Sequence, residues 1–166
     1  MFNFLKKKET VEKTGPAALY APITGKMIPL ENVQDEVFAS KMMGEGVAFE
    51  LSEDTIYAPI DGEITMFPDS LHAFGMKTAD GAEVLIHVGL DTVNLGGEGF
   101  TKLADQGDTV TKGTPILQVA REELLGKNII LTTPMIVTNS SEFDVTVLAA
   151  EEVTAGETKV LELVKK

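Results

Sequence analysis

The sequence predicts an all-β protein, an antiparallel sandwich or barrel with only short helical turns. Three observations carry that reading. From Leu19 onward, short apolar runs are broken by Gly, Pro, Asn or Asp roughly every 8–12 residues, the rhythm of strands and tight turns. Helical periodicity is scarce. The chain also echoes itself: "LYAPITGKMIPL" (Leu19 to Leu30) is answered by "IYAPIDGEITMF" (Ile56 to Phe67), and "GDTVTKGTPILQV" more loosely by "GETKVLELV". Repeated strand-bend-strand units point to a sandwich with internal pseudo-symmetry.

In chain order, residues 1–18 are polar and lysine-rich and end at Gly15-Pro16, which reads as a flexible tail. Phe2, Phe4 and Leu5, followed by three lysines, offer at most a weak hold on an anionic membrane surface. Residues 19–166 read as one domain, long enough to bury a core without staples. In the two clear repeats, proline favours an extended backbone and Gly25 or Gly62 allows a bend. "TTPMIVTN" (Thr132 to Asn139) is a weaker third copy. Gly99 to Ala104 and Arg121 to Leu125 can each support a turn or two of helix.

Composition excludes several function classes. With 26 acidic against 14 basic side chains the net charge is -12, which repels a nucleic-acid backbone and favours partners with basic surfaces. The absence of cysteine excludes disulfides, thiolate zinc sites and thiol catalysis. No apolar run approaches the roughly 20 residues that span a bilayer, and the first residues lack a signal-peptide h-region. The expected location is the cytoplasm.

Both histidines of the chain fall in "HAFGMKTADGAEVLIHVG", one at each end of a hairpin signal. A two-residue Asp80-Gly81 loop sets His87 opposite Phe74 and His72 opposite Gly89, so the imidazoles share a face as diagonal neighbours. A loop at Ala79-Asp80 makes them direct opposites; a three-residue loop puts them on opposite faces. His87 lies in the apolar run Val84 to Val88, where a polar ring must be hydrogen-bonded or functional. Hydrolysis by a serine triad lacks its Gly-x-Ser-x-Gly elbow. A catalytic zinc site lacks a third ligand, so zinc at His72 and His87 would need a partner's carboxylate. The Gly96 to Gly99 cluster lacks the strand-then-helix context of a nucleotide fingerprint. What remains is a neutral imidazole as a nucleophile towards phosphorus, with the second ring donating a hydrogen bond to phosphoryl oxygens.

At these residues the chain resembles a known family. "GAEVLIHVGLDTVNLGGEGF" (Gly81 to Phe100), "HAFGMKTADG", "YAPIDGEI" and "GDTVTKGTPIL" are similar to segments of the glucose-type enzyme IIA of the bacterial phosphoenolpyruvate-dependent sugar phosphotransferase system. The similarity runs from about Tyr20 to the C-terminus, the extent of a phosphotransferase system IIA type-1 domain. It implies an antiparallel β-sandwich of the duplicated hybrid-motif kind. It also implies a phosphotransferase component that accepts a phosphoryl group on His87 from the histidine-containing phosphocarrier protein. The group would pass to the IIB part of a sugar permease, made of IIB and IIC components.

By the same resemblance, His87 would react through Nε2 with its Nδ1-H held by a carbonyl near Gly89, and His72 would stabilise the transferring group. Ser70 stands where the family has a threonine, and would support the site by a hydrogen bond. Asp35 and Asp91 match rim aspartates whose charge would keep phospho-His87 a high-energy donor. Val37, Phe38, Val47 and Phe74 would supply an apolar rim for partner binding, with Glu36 in place of a commonly apolar residue. No metal or organic cofactor is needed; zinc would bind only with a partner's ligand. Some relatives also bind and regulate other proteins through the unphosphorylated face.

Two other classes compete. A swinging-arm carrier of biotinyl or lipoyl type would need a lysine at a tight exposed turn, and Lys41 and Lys127 have the wrong neighbours. A regulatory binding module would keep the fold without the transfer. Neither the sugar nor the permease is named by the sequence.

Overall fold

The computed structural model describes residues 17–166. The expected tail therefore lies outside the described residues, except that Ala17 and Ala18 already belong to the first strand. The strands run β1 (Ala17–Tyr20), β2 (Gly25–Pro29), β3 (Glu45–Leu51), β4 (Thr55–Tyr57), β5 (Gly62–Met66), β6 (Ala73–Lys77) and β7 (Glu83–His87). They continue as β8 (Phe100–Lys102), β9 (Thr109–Val110), β10 (Pro115–Val119), β11 (Thr133–Val137), β12 (Phe143–Val147), β13 (Glu152–Val153) and β14 (Lys159–Lys165). Among the described residues, two short helices, α1 (Glu36–Ala39) and α2 (Arg121–Gly126), join three 3-10 turns at Leu30–Asn32, Thr92–Leu95 and Ser140–Glu142.

Every strand pairing among the described residues is antiparallel. The largest sheet has the order β13-β2-β3-β11-β7-β6-β5-β9, and two smaller sheets have the orders β1-β14-β12 and β4-β10-β8. These orders are mirror-consistent about the β11–β7 pair: β13-β2-β3-β11 on one side answers β9-β5-β6-β7 on the other, and β1-β14-β12 answers β4-β10-β8. The sequence echo is thus a pseudo-twofold. One copy, β4 to β10, is continuous; the other is split into β1–β3 and β11–β14 around it. The hydrogen bonds obey the same relation. Tyr20 N–H donates to the Pro59 carbonyl at 2.8 Å and Tyr57 N–H to that of Pro22 at 2.7 Å. Ala21 N–H meets the Thr158 carbonyl as Ala58 N–H meets that of Thr114.

Three sequence expectations need correction. The recurring Gly25 and Gly62 do not bend the chain; they open β2 and β5, where a Cβ would stand 2.0 Å from the Glu50 carbonyl and 2.6 Å from that of Lys77. Close approach of the neighbouring strand demands glycine there. "TTPMIVTN" is not a third copy, because Thr133–Val137 is one unbent strand at the centre of the large sheet and answers β7. Gly99 to Ala104 is not helical, since Phe100–Lys102 pairs with β10 and points Phe100 into the core, leaving Leu103 exposed. The Arg121 segment is helical.

One large core is shared by all three sheets, drawing Leu19 and Leu161 from one, Ile56 and Leu117 from another, Phe49 and Ile86 from the third. Each such side chain contributes about 1.5–3 kcal/mol by leaving water. A second, smaller cluster lies on the other face of the large sheet. There Leu30, Val33 and Phe38 pack on Ala48, Leu90 and Ile136. The first three belong to the connection between β2 and β3, which lies across the sheet as a strap. Asp35 starts its helix by accepting the Val37 N–H at 3.0 Å, the usual cap for an orphan donor.

Candidate functional site

The hairpin β6–β7 places both histidines. Its register pairs Ala73 with His87 and Lys77 with Glu83, and Thr78 N–H donates to the Ala82 carbonyl at 3.0 Å, leaving Ala79, Asp80 and Gly81 as a three-residue loop. This is neither of the two-residue loops that would have joined the rings by pleating. Position 72 lies opposite Val88, whose N–H donates to the His72 carbonyl at 2.7 Å. Yet the ring centroids stand 5.1 Å apart at 80°. The reason is local: His72 precedes β6, at the end of a turn in which Leu71 N–H bonds the Pro68 carbonyl and Leu71 takes φ 59. The bend swings the ring to the face that the pleat denies it. Its sequence signal was Pro68-Asp69-Ser70, residues that favour turns.

His87 ends β7 on the outer face of the large sheet. The ring of Phe38 lies 5.0 Å from it, tilted by 54°, so the strap covers one side of the imidazole. His87 Nδ1 is 2.8 Å from the Gly89 carbonyl. A carbonyl only accepts, so Nδ1 carries the proton and the lone pair of neutral His87 sits on Nε2. Gly89 adopts φ 84, and a Cβ there would come within 2.5 Å of the Thr92 methyl. His72 Nδ1 lies 2.7 Å from Ser70 Oγ, a hydroxyl able to donate to it; the His72 proton is then on Nε2.

Burial holds both imidazoles below the ordinary histidine value of 6.5. For His87 burial dominates, opposed by the bond to Gly89 and by the negative charges of Asp35 and Asp91. For His72 burial again leads, followed by repulsion from the His87 cation. Two rings that cannot both be charged at low cost present a lone pair on one and an N–H on the other. Asp35, Asp91, Gln34, Asn94 and Asn128 line a hollow of about 280 Å³ alongside. Asp91 itself has φ 59.

The structure therefore brings together His87, His72, Ser70, Gly89 and Phe38, with Asp35 and Asp91 close enough to act on the His87 charge. Val37, 43% exposed, flanks Phe38 on the strap. Val47 and Phe74 do not belong to a rim. Both are buried in the main core, Phe74 against Phe67 at 5.7 Å between centroids, because their strand positions face the inner side of the sheet. Sequence reasoning did not single out Thr92, whose methyl packs against Gly89, nor Gln34, Asn94 and Asn128, which line the hollow. Among the described residues no group of three or more His, Asp or Glu side chains could hold a metal ion, so His72 and His87 supply two ligands at most.

Comparison with known proteins identifies the family. Residues 17–143 match the family described as phosphoenolpyruvate-dependent sugar phosphotransferase system, EIIA 1. The chain is 41% identical over 163 residues to the PTS system glucose-specific EIIA component of Oceanobacillus iheyensis, covering 98% of each. It is 40% identical over 147 residues to the PTS system glucoside-specific EIICBA component of Staphylococcus carnosus, where it covers 89% of this chain and 21% of that longer protein. The solved glucose permease IIA of Mycoplasma capricolum superposes with a TM-score of 0.84 at 32% identity, covering 89% of this chain and 96% of that one. Fold and family match together define a phosphotransferase component with a β-sandwich body. The chain belongs to the EIIA 1 family of the phosphoenolpyruvate-dependent sugar phosphotransferase system, whose members transfer phosphoryl groups in sugar uptake.

Proposed function

We propose that His87 is the phosphoryl acceptor, loaded by the histidine-containing phosphocarrier protein and discharged to the IIB part of a sugar permease in the cytoplasm. The observation that carries this reading is the Gly89 carbonyl on His87 Nδ1, which leaves Nε2 free beside a second imidazole. The Nε2 lone pair attacks phosphorus in line while the N–P bond of the donor's phosphohistidine breaks, its electron pair returning to the donor ring. No proton moves, and Nδ1-H stays on Gly89. Phosphorylated His87 then carries a cationic ring, which the Gly89 carbonyl, Asp35 and Asp91 stabilise, while the two carboxylates oppose the phosphoryl dianion. His72, held by Ser70, donates from Nε2 to a phosphoryl oxygen. Phe38 and Val37 keep water from one side and offer apolar surface to the partner. The names of the relatives point to glucose or a glucoside as the transported sugar class.

Intact mass tests the reading. The protein is mixed with phosphoenolpyruvate, enzyme I and the histidine-containing phosphocarrier protein, beside His87→Gln and His72→Gln. One acid-labile phosphate is expected on the wild type and on His72→Gln, and none on His87→Gln. Onward transfer from His72→Gln should slow by about 10²–10³, the usual cost of losing one donor to developing charge. A wild type that takes no phosphate from a verified donor sinks the proposal.

A further inference from the structure

Gly89 has to aim its carbonyl at His87 Nδ1, but glycine is the residue least able to hold a conformation by itself. Three consecutive peptide groups run from His87 to Leu90, and each is tied to the surrounding structure by a hydrogen bond. The His87–Val88 peptide is held through Val88 N–H to the His72 carbonyl at 2.7 Å, and the Gly89–Leu90 peptide through Leu90 N–H to the Ile130 carbonyl at 2.9 Å. The middle peptide, Val88–Gly89, is held by a side chain. Thr92 Oγ1 donates to the Val88 carbonyl at 2.6 Å. Thr92 is 0% exposed, and its Cγ2 fills the space against Gly89 where a Cβ would otherwise stand.

From this geometry we propose that Thr92 is a positioning residue for the phosphoryl-transfer centre. Its hydroxyl fixes the Val88–Gly89 plane, its methyl braces Gly89 at φ 84, and together they hold the carbonyl that dictates the His87 tautomer. The Thr92 hydroxyl bonds the Val88 carbonyl and not the imidazole, so it acts through Gly89. Loss of the hydroxyl frees the Val88–Gly89 peptide to rotate, the Gly89 carbonyl swings from Nδ1, and part of the His87 population moves its proton to Nε2. That form has no lone pair where the reaction needs one. The kinetic half of this inference rests on His87 as the acceptor; the tautomer half does not.

The test uses ring ¹⁵N chemical shifts of His87 at pH 8 in the unphosphorylated protein, with transfer kinetics measured in parallel. Thr92→Val removes the hydroxyl at nearly constant shape, Thr92→Ser keeps it, and Thr92→Ala serves if the valine variant does not fold. In the wild type and Thr92→Ser, Nδ1 should show the protonated shift and Nε2 the bare one. Thr92→Val or Thr92→Ala should show averaged shifts and a kcat lowered about tenfold, with KM unchanged, the pattern of an interaction lost in the transition state. Wild-type shifts in the hydroxyl-less variant overturn the proposal, whatever the rate. A shifted tautomer alongside a wild type that takes no phosphate would instead overturn only the assignment of the acceptor.

Discussion

The two pseudo-symmetric halves are built on one plan, and only one carries the histidine pair. Counted through the strand registers from the β11–β7 axis, the position held by His87 in the continuous copy is held by Ile136 in the split copy, and that of His72 by Glu45. Ile136 is fully buried on the same outer face, in the cluster under the strap. Glu45 stays in regular β3 and pairs with Lys41 at 3.5 Å. The sandwich itself therefore does not create the centre. What creates it are two departures from the plan, the turn ending in left-handed Leu71 and the turn through Gly89 and Asp91, plus the strap. The strap belongs to the split copy but lies over the histidine of the continuous one, so each half supplies part of the site.

If that comparison is right, the largest effect follows from making the halves alike. His87→Ile should accept no phosphate at all by intact mass, yet unfold in urea within about 1 kcal/mol of the wild type, because a comparable volume stays under the strap. Residual acid-labile phosphate on this variant would place the acceptor elsewhere. The strap comes next. Phe38→Ala should cost about 3 kcal/mol, the low end for emptying a buried aromatic position, since the strap is peripheral and can settle. In the same variant the His87 pKa should rise towards 6.5 in an NMR titration, because burial is what holds it down. An unchanged titration would mean that Phe38 packs on the ring without shielding it.

The fold was legible because its devices are short-range. Turn residues, alternating apolar runs and the Tyr-Ala-Pro-Ile-x-Gly echo report strands and duplication directly. The order of the copies was not, because nothing local says that one is inserted in the other. The hairpin was legible but its loop length was not: Asp80-Gly81 favours a two-residue turn, and the Thr78 hydroxyl bonding Asp80 and Ala82 N–H selects the longer one. That the rings meet in spite of this register depends on the bend at Leu71, a residue type that gives no warning of φ 59. In the sequence Val47 and Phe74 read as rim residues because an apolar residue near a site reads the same whichever face it takes. The register decides, and it sends both to the core.

The comparison also fixes a pH dependence. Both histidines have folded pKa values below 6.5, so between that value and the folded ones the unfolded chain binds protons that the native state refuses. Stability is full above about pH 6.5 and falls as pH drops through the folded values. His87→Ile, carrying the split copy's residue, should fall less steeply over that window in urea titrations. A slope equal to the wild type's would show that burial of His87 has no thermodynamic consequence.

The smallest effect tests the electrostatic frame. Asp91 is held in a left-handed conformation beside the site, and its charge favours the His87 cation, behind burial, the Gly89 bond and Asp35 in influence. Asp91→Asn keeps a residue that tolerates positive φ and removes only the charge. The His87 pKa should therefore move further down, away from 6.5, by less than the Gly89 contact moves it up. The consequence for transfer has two parts of opposite sign. On the proposed transfer, phosphorylated His87 would carry a cationic ring, so loss of Asp91 would remove a stabilising neighbour from the ring and a repelling one from the phosphoryl dianion. The two changes oppose each other, and the pKa isolates the first because no phosphoryl group is present. A pKa that rises in Asp91→Asn would show that the carboxylate acts on the backbone turn and not on the ring, and the left-handed turn alone would then distinguish this half from its twin.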